Sequence, residues 1–228
     1  MGSIVVGLVG PKTCGKSTVT NIIASEFVIT ESALADKLKN ASAKAFDLKR
    51  EQLDRQDLKE VLFDAPKPLT KERIALILTE FGVNPNSYKD PILLQTHLEF
   101  YTPLFNKPLH SPREIAQIVG TELLRFVDKD IHCRNVPIAK NSVTVVSDVR
   151  FINEMDFFAK MDGITFIPIY IQRDQAEAQV KPESHISERE FMEFRHRCSK
   201  VDNNGTLENT KKQVMDIIND KLGIVLTN

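Results

Sequence analysis

Residues 4–9, Ile-Val-Val-Gly-Leu-Val, form an unbroken apolar run of strand length. Such a run is expected where helices cover both faces of a parallel strand. Immediately after a short polar stretch, Val19, Ile22, Ile23 and Phe27 recur at spacings of three and four, which lays one apolar stripe along a helix over 16–27. The opening is therefore strand, loop, helix. Runs at 143–146 and 164–171, with a weaker one at 198–201, repeat the strand signal, and 27–29 is a short further candidate, giving five strands. A helical segment at 153–161, ending near Gly163, separates two of them. Strands alternating with helices predict a mostly parallel five-stranded sheet with helices on both faces.

Between about residues 31 and 140 the signals are almost entirely helical. Ser111-Pro112-Arg113-Glu114 supplies a capping serine, a proline suited to the first helical position and a glutamate placed to complete a capping box. Thr70 precedes a helix over 71–81 that Gly82 terminates, and Thr206 opens a final helix over 207–222. The expected organisation is one domain over 1–228 with a helical insert at about 31–140.

Composition narrows the classes. Apolar residues make up 42% and charged residues 27%, and 30 Lys and Arg stand against 31 Asp and Glu, so no basic surplus exists for a long nucleic acid. Cys14, Cys133 and Cys198 lie in no metal-ligand spacing, and no window reaches the length of a membrane span. Together with an N-terminus that lacks a signal-peptide series, these features predict a reducing compartment, the cytoplasm.

The chemistry begins at Gly10-Pro11-Lys12-Thr13-Cys14-Gly15-Lys16-Ser17, followed by Thr18, which satisfies G-x-x-x-x-G-K-[ST] between the strand and the helix that this phosphate-binding loop requires. Its glycines let backbone N–H groups turn toward a polyphosphate, and the helix start adds roughly half a positive charge. Lys16 is placed for the β- and γ-phosphates of ATP and Ser17 for a Mg²⁺ ion. Cys14 reads either as a small filler of the loop or as an activated thiol at a helix start. Neither N-K-x-D nor D-x-x-G occurs; Val127-Asp128-Lys129-Asp130 and Asp148-Val149-Arg150-Phe151 are the nearest strings, which argues against a GTPase.

At the end of the 143–146 strand stand Asp148 and Arg150, with Glu154 in the next helix. Ligands collect at the carboxyl ends of such strands, so Asp148 is expected to hold the metal through water or to orient the acceptor, and Arg150 to grip a phosphate. The competing reading is an Asp–Arg ion pair at a helix start.

With the loop, residues 113–124 (Arg-Glu-Ile-Ala-Gln-Ile-Val-Gly-Thr-Glu-Leu-Leu), Asp148-Val149-Arg150 with Glu154-Met155-Asp156, and Ser184-His185-Ile186-Ser187-Glu188, the chain resembles the deoxynucleoside monophosphate kinases of tailed bacteriophages, within the P-loop nucleoside monophosphate kinases. A fifth segment, 201–208 (Val-Asp-Asn-Asn-Gly-Thr-Leu-Glu), is shared more widely, including with dephospho-coenzyme A kinases. The resemblance implies a three-layer P-loop kinase fold and transfer of the ATP γ-phosphate to a deoxynucleoside 5′-monophosphate. It places Lys12, Arg113, Gly120, Thr121, Asp148, Arg150 and Glu154 about the acceptor. It also implies a lid at about 173–197, with Arg173 serving catalysis and His185 and Ser187 contacting substrate, and a homodimer.

Several positions keep a second reading. Gly120 serves close helix packing or approach to a base; Thr121 is a helix-face hydroxyl or an acceptor contact; His185 is a lid residue or an ordinary surface histidine. Lys37 reads first as a solvated charge beside the core positions Leu34 and Leu38, and the charge-rich stretch 181–197 as a solvated helix face. The chain departs from the phage pattern near residue 67, where Lys67, Arg55 or Arg50 would have to replace an arginine. A dephospho-coenzyme A kinase and a non-catalytic nucleotide-binding protein are the alternative functions.

Overall fold

The computed structural model describes residues 2–83 and 104–223. Along the chain run β1 (Ser3–Val9), α1 (Lys16–Glu26), β2 (Ile29–Ser32), α2 (Asp36–Phe46), α3 (Arg50–Asp54), α4 (Gln56–Lys59), β3 (Lys67–Pro68), α5 (Lys71–Glu80) and β4 (Pro108–Leu109). Then follow α6 (Pro112–Gln117), a π-helical segment (Ile118–Leu124), α7 (Arg125–Val127), β5 (Val143–Val149), α8 (Ile152–Ala159), β6 (Ile164–Gln172), α9 (Asp174–Glu177), α10 (Phe191–Phe194), β7 (Ser199–Asp202) and α11 (Leu207–Leu222). They fall into two compact units, Met1–Leu34 with Asn135–Asn228, and Ala35–Arg134.

The first unit is built on a five-stranded sheet in the order β2-β5-β1-β6-β7, in which every pairing is parallel. β1 sits at the centre because it is apolar on both faces: Ile4, Val6 and Leu8 join Val19, Ile22 and Ile23 of α1 and Val214 and Ile218 of α11 in one core. On the other face α8 brings Phe158 against Phe166 of β6, with ring centroids 5.6 Å apart. Gly7 lies under that ring; a Cβ there would stand 2.8 Å from Phe166, so the interrupting glycine of β1 lets the aromatic layer close. The three-layer arrangement read from the sequence is the one observed, with a five-stranded sheet in which four of the predicted strands lie where expected.

β2 is shifted. The apolar 27–29 stretch is not the strand: Phe27 ends α1 in extended geometry, and pairing with β5 begins at Ile29 and runs through Thr30, Glu31 and Ser32. As the outer strand of the sheet it needs less apolar character than its neighbours, so its hydropathy misplaces it. The register of β1 on β5 carries an irregularity: Gly7 pairs with Val146 but Val9 with Val149, so β5 holds one residue more than β1 across this step. The extra residue falls at Ser147-Asp148 and re-aims the side chains where the strand ends.

In the second unit, Leu38, Phe46, Leu69, Ile74, Ile77, Leu109, Ile115, Val119 and Leu123 belong to a separate buried core. The predicted caps are made: Thr70 Oγ1 accepts from the Arg73 N–H, and Ser111 Oγ accepts from the Glu114 N–H at 3.2 Å. Glu114, however, receives the N–H of His110 at 2.7 Å, one residue earlier than a regular capping box. The antiparallel pair β3–β4 was not expected in a helical insert; two residues per strand, with Pro68 facing Pro108, leave no alternation in the sequence to read. None of the helices among the described residues is long and apolar enough to cross a membrane.

The last helix begins and ends where its local signals place it: Thr206 Oγ1 accepts from the Asn209 N–H at 3.2 Å, and Gly223 closes it at φ 65°. Replacing Thr206 by alanine is expected to cost about 1 kcal/mol of stability, read from the midpoint of urea unfolding at unchanged slope.

Candidate phosphate-binding site

At the carboxyl end of β1 the chain turns through three left-handed or mirror-region conformations, Gly10 at φ 147°, Thr13 at 64° and Gly15 at 107°. Gly10 is required sterically as well, since a Cβ would meet Cys14 Sγ at 2.8 Å and the Ile171 carbonyl oxygen at 2.9 Å. Thr13 adopts its conformation despite a β-branched side chain, a local strain the surrounding contacts must hold.

Those contacts fall on carbonyl oxygens. Lys16 Nζ donates to the carbonyls of Gly10 at 2.9 Å and Pro11 at 2.6 Å. Thr13 Oγ1 donates to the Lys12 carbonyl at 2.6 Å, Arg173 to that of Thr13 at 3.3 Å, and Asn203 Nδ2 to that of Cys14 at 2.8 Å. The Val19 N–H then takes the Gly15 carbonyl at 3.0 Å and begins the helix. With its C=O groups so engaged, and the Cys14 N–H on the Pro11 carbonyl at 3.4 Å, the loop runs into the first turn of α1, whose leading N–H groups a helix leaves without intrahelical acceptors. A loop so placed at a helix start is suited to an anion.

Burial lowers the pKa of the Lys16 ammonium and raises that of the Cys14 thiol. Cys14 is fully buried in the core beneath the loop. Of its two readings the structure supports the filler, since a buried thiol with a raised pKa carries little thiolate. Ser17 and Lys12 are exposed and Thr18 half-buried.

The other strand ends converge on the same edge of the sheet. Asp148, at the irregular end of β5, accepts the Leu34 N–H on Oδ1 at 2.6 Å, and its charge and that of Arg150 both act on Lys16. Arg150 is exposed. Glu154 is buried and accepts the N–H groups of Arg150 at 2.8 Å and Phe151 at 3.1 Å, so this carboxylate fixes the turn that follows Asp148. Arg173 follows β6 and Asn203 follows β7. A magnesium ion usually takes most of its ligands from phosphate and water, so the Ser17 hydroxyl at the loop end and Asp148 acting through water form a suitable donor set. Among the described residues no group of three or more His, Cys, Asp or Glu could hold a metal by itself.

The expected lid helix is instead a series of single turns: Ile186–Glu188, α10, and Arg195–Arg197. His185 Nδ1 accepts the Ser187 N–H at 3.3 Å and lies 2.8 Å from its hydroxyl, capping the first of these turns. Arg197 pairs with Asp156 at 2.7 Å. Arg195 donates to Glu177 at 3.2 Å and to the Tyr170 hydroxyl at 3.3 Å, and Tyr170 in turn hydrogen-bonds Glu177 and stacks on Phe191.

The second unit holds the remaining candidates. Arg113, at the second position of α6, pairs with Glu60. Gly120 and Thr121 lie in the π-helical segment, where a Cβ on Gly120 would stand 2.8 Å from Leu38 Cδ2, so the glycine admits the close approach of α2. Lys37, expected as a solvated charge, lies over the Phe81 ring at 5.2 Å. Arg50 is held by Asp36 and Asp54, Arg55 by Asp57, and Lys67 lies over Phe63 at 5.4 Å.

Asn203, which donates to the Cys14 carbonyl, has no role assigned by the sequence. Its signal is positional: an Asn-Asn-Gly run between the last strand and a capped helix, at the carboxyl end of a parallel sheet.

No protein-family model matches the chain. It is similar to a protein of Acanthamoeba polyphaga mimivirus that carries deoxynucleotide monophosphate kinase as its provisional name, 25% identical over 221 residues that cover 95% of this chain and 97% of the other. Among solved structures it is similar to Thermus thermophilus TT1252, at TM-score 0.36 and 16% identity with both chains covered fully. It is also similar to dephospho-CoA kinase from Campylobacter jejuni, at TM-score 0.34 and 16% identity over 95% of this chain and 96% of that one.

Burial, reinforced by the hydrogen bond with Glu177, raises the Tyr170 phenol from 10.0 to about 12. A raised acid pKa in the folded state means stability that is complete below the unfolded value and lost as pH climbs through the folded one. Denaturant melts between about pH 9 and 12 are expected to show the Tyr170 contribution intact up to about pH 10 and falling above it, with a shallower decline in Tyr170→Phe.

Proposed function

We propose that the chain is an ATP-dependent nucleotide kinase that transfers the γ-phosphate to a deoxynucleoside 5′-monophosphate, yielding the diphosphate and ADP. The observation that carries the phosphotransfer reading is the loop of residues 10–17, whose carbonyls are engaged by side-chain donors and which leads directly into the start of α1 beside Lys16. The deoxynucleotide acceptor is supported by the near full-length likeness to the mimivirus protein.

Phosphoryl transfer asks the protein for alignment and for cations around the moving group. In this reading Gly10, Lys12, Thr13, Cys14, Gly15 and Thr18 cradle the triphosphate through the loop backbone and helix start. Lys16 releases its carbonyl partners to meet the β- and γ-oxygens. Mg²⁺, held at Ser17 and through water at Asp148, would neutralise the same oxygens. In the first unit Arg150 steadies a phosphate and Glu154 keeps Asp148 and Arg150 in place through the turn it caps; in the second unit Arg113, Gly120 and Thr121 are the acceptor-contact candidates that the family resemblance implies. Arg173, resting on the Thr13 carbonyl, completes the cage, and His185 and Ser187 of the lid region contact substrate. The acceptor is already an anion and needs no strong general base.

Release of ADP from ATP and Mg²⁺ should depend on the acceptor. A panel of deoxyribo- and ribonucleoside monophosphates, with dephospho-coenzyme A alongside, is expected to give turnover with at least one deoxynucleoside monophosphate. Turnover with dephospho-coenzyme A alone would replace the substrate assignment, and ATP binding without acceptor-dependent ADP would remove the enzymatic one. Lys16→Ala should lower kcat by about 10²–10³-fold, by analogy with loss of one transition-state donor, while circular dichroism remains that of the parent.

A further inference from the structure

We infer that Asn203 is a positioning residue for the phosphate-binding loop, and that it acts through the Cys14 carbonyl rather than by touching a nucleotide base. The inference rests on the phosphate-binding reading of residues 10–17 and deepens it. The Asn203 side chain spans 189 positions of sequence to place Nδ2–H on that carbonyl at 2.8 Å. Its other amide atom, Oδ1, accepts from the Thr210 hydroxyl at 2.9 Å, and its backbone N–H donates to the Gln172 carbonyl at 2.9 Å. Thr210 is fully buried in the first turn of α11. The amide is thus held at both ends, and its orientation follows from its partners: only the NH₂ group can donate to a carbonyl, and only the oxygen can accept from the hydroxyl.

The fit is close. A Cβ on Gly15 would lie 2.2 Å from Asn203 Nδ2, so the glycine of the loop is required by this side chain as well as by its own φ of 107°. Cys14 and Gly15 form the last peptide before α1, the point at which the loop backbone must present N–H groups inward and then enter the helix. A donor fixed on the outer carbonyl of that residue sets the orientation of the peptide plane whose N–H belongs to Gly15. The strut runs from β6 and β7 through α11, all elements of the unit that carries the loop.

Two probes separate this role from base contact: ATP with Mg²⁺, and inorganic tripolyphosphate with Mg²⁺, which has no base. Binding is measured by calorimetry on the full chain. Asn203→Ala is expected to weaken both about tenfold, and GTP with Mg²⁺ titrated alongside should give an unchanged ratio of ATP to GTP affinity. Unaltered tripolyphosphate binding, with or without a shift in that ratio, overturns the inference. A wild-type chain that binds neither probe overturns the phosphate-binding reading itself, which keeps the two failures distinct.

Should Asn203→Ala fail to fold, the pair Thr210→Val and Thr210→Ser decides. The valine removes the hydroxyl that orients the amide and is expected to weaken tripolyphosphate about threefold, whereas the serine keeps it and stays near the parent. Equal affinities for the two variants, each melting within a few degrees of the parent, count against the strut.

Discussion

A backbone loop can bind an anion only if its N–H groups point one way, and isolated peptides have no reason to agree on a direction. In this chain the carbonyls are fixed instead: five consecutive ones, from Gly10 to Cys14, each meet a donor, Lys16 and Thr13 from within the loop and Arg173 and Asn203 from the neighbouring strand ends. Unsatisfied carbonyls would otherwise compete for the same space, and a buried one costs about 1–3 kcal/mol. The parallel sheet is what makes these donors available, because every strand delivers its carboxyl end to the same edge. Arg173 arrives from β6 and Asn203 from β7, with Asp148 and Arg150 brought to that edge by β5.

The central architecture was readable because its signals are local and redundant. A doubly buried strand announces itself in residues 4–9, and the caps at Thr70, Ser111 and Thr206 depend on neighbours within four positions. The loop motif was equally plain. Features that depend on partners distant in sequence were not. β2 is half polar and borrows its strand character from pairing with β5; β3 and β4 form a ladder too short to show a period; the run of single turns over 186–197 looks in sequence like a charged helix.

Site residues divide along the same line. Identity and order mark Lys16, Ser17, Asp148 and Arg150 as candidates, but not what occupies each side chain. Glu154 carries a substrate expectation, and the geometry shows a carboxylate capping the Arg150–Phe151 turn. Gly120, open between packing and base contact, lies against Leu38. Arg195 lies in the charge-rich stretch 181–197 that reads as a solvated face, whereas its guanidinium is bound to Tyr170 and Glu177. Asn203 is the reverse case, a residue with no legible role whose partner lies at the other end of the chain.

The resting place of Lys16 bears on how an affinity for this site should be understood. Its ammonium is not waiting in water but is already bonded to the Gly10 and Pro11 oxygens. An arriving phosphate therefore competes with two occupants of the same cation, and what a titration measures is the preference of one ammonium for new partners over old. The apparent binding strength understates the attraction between lysine and nucleotide by whatever the surrendered carbonyl bonds were worth.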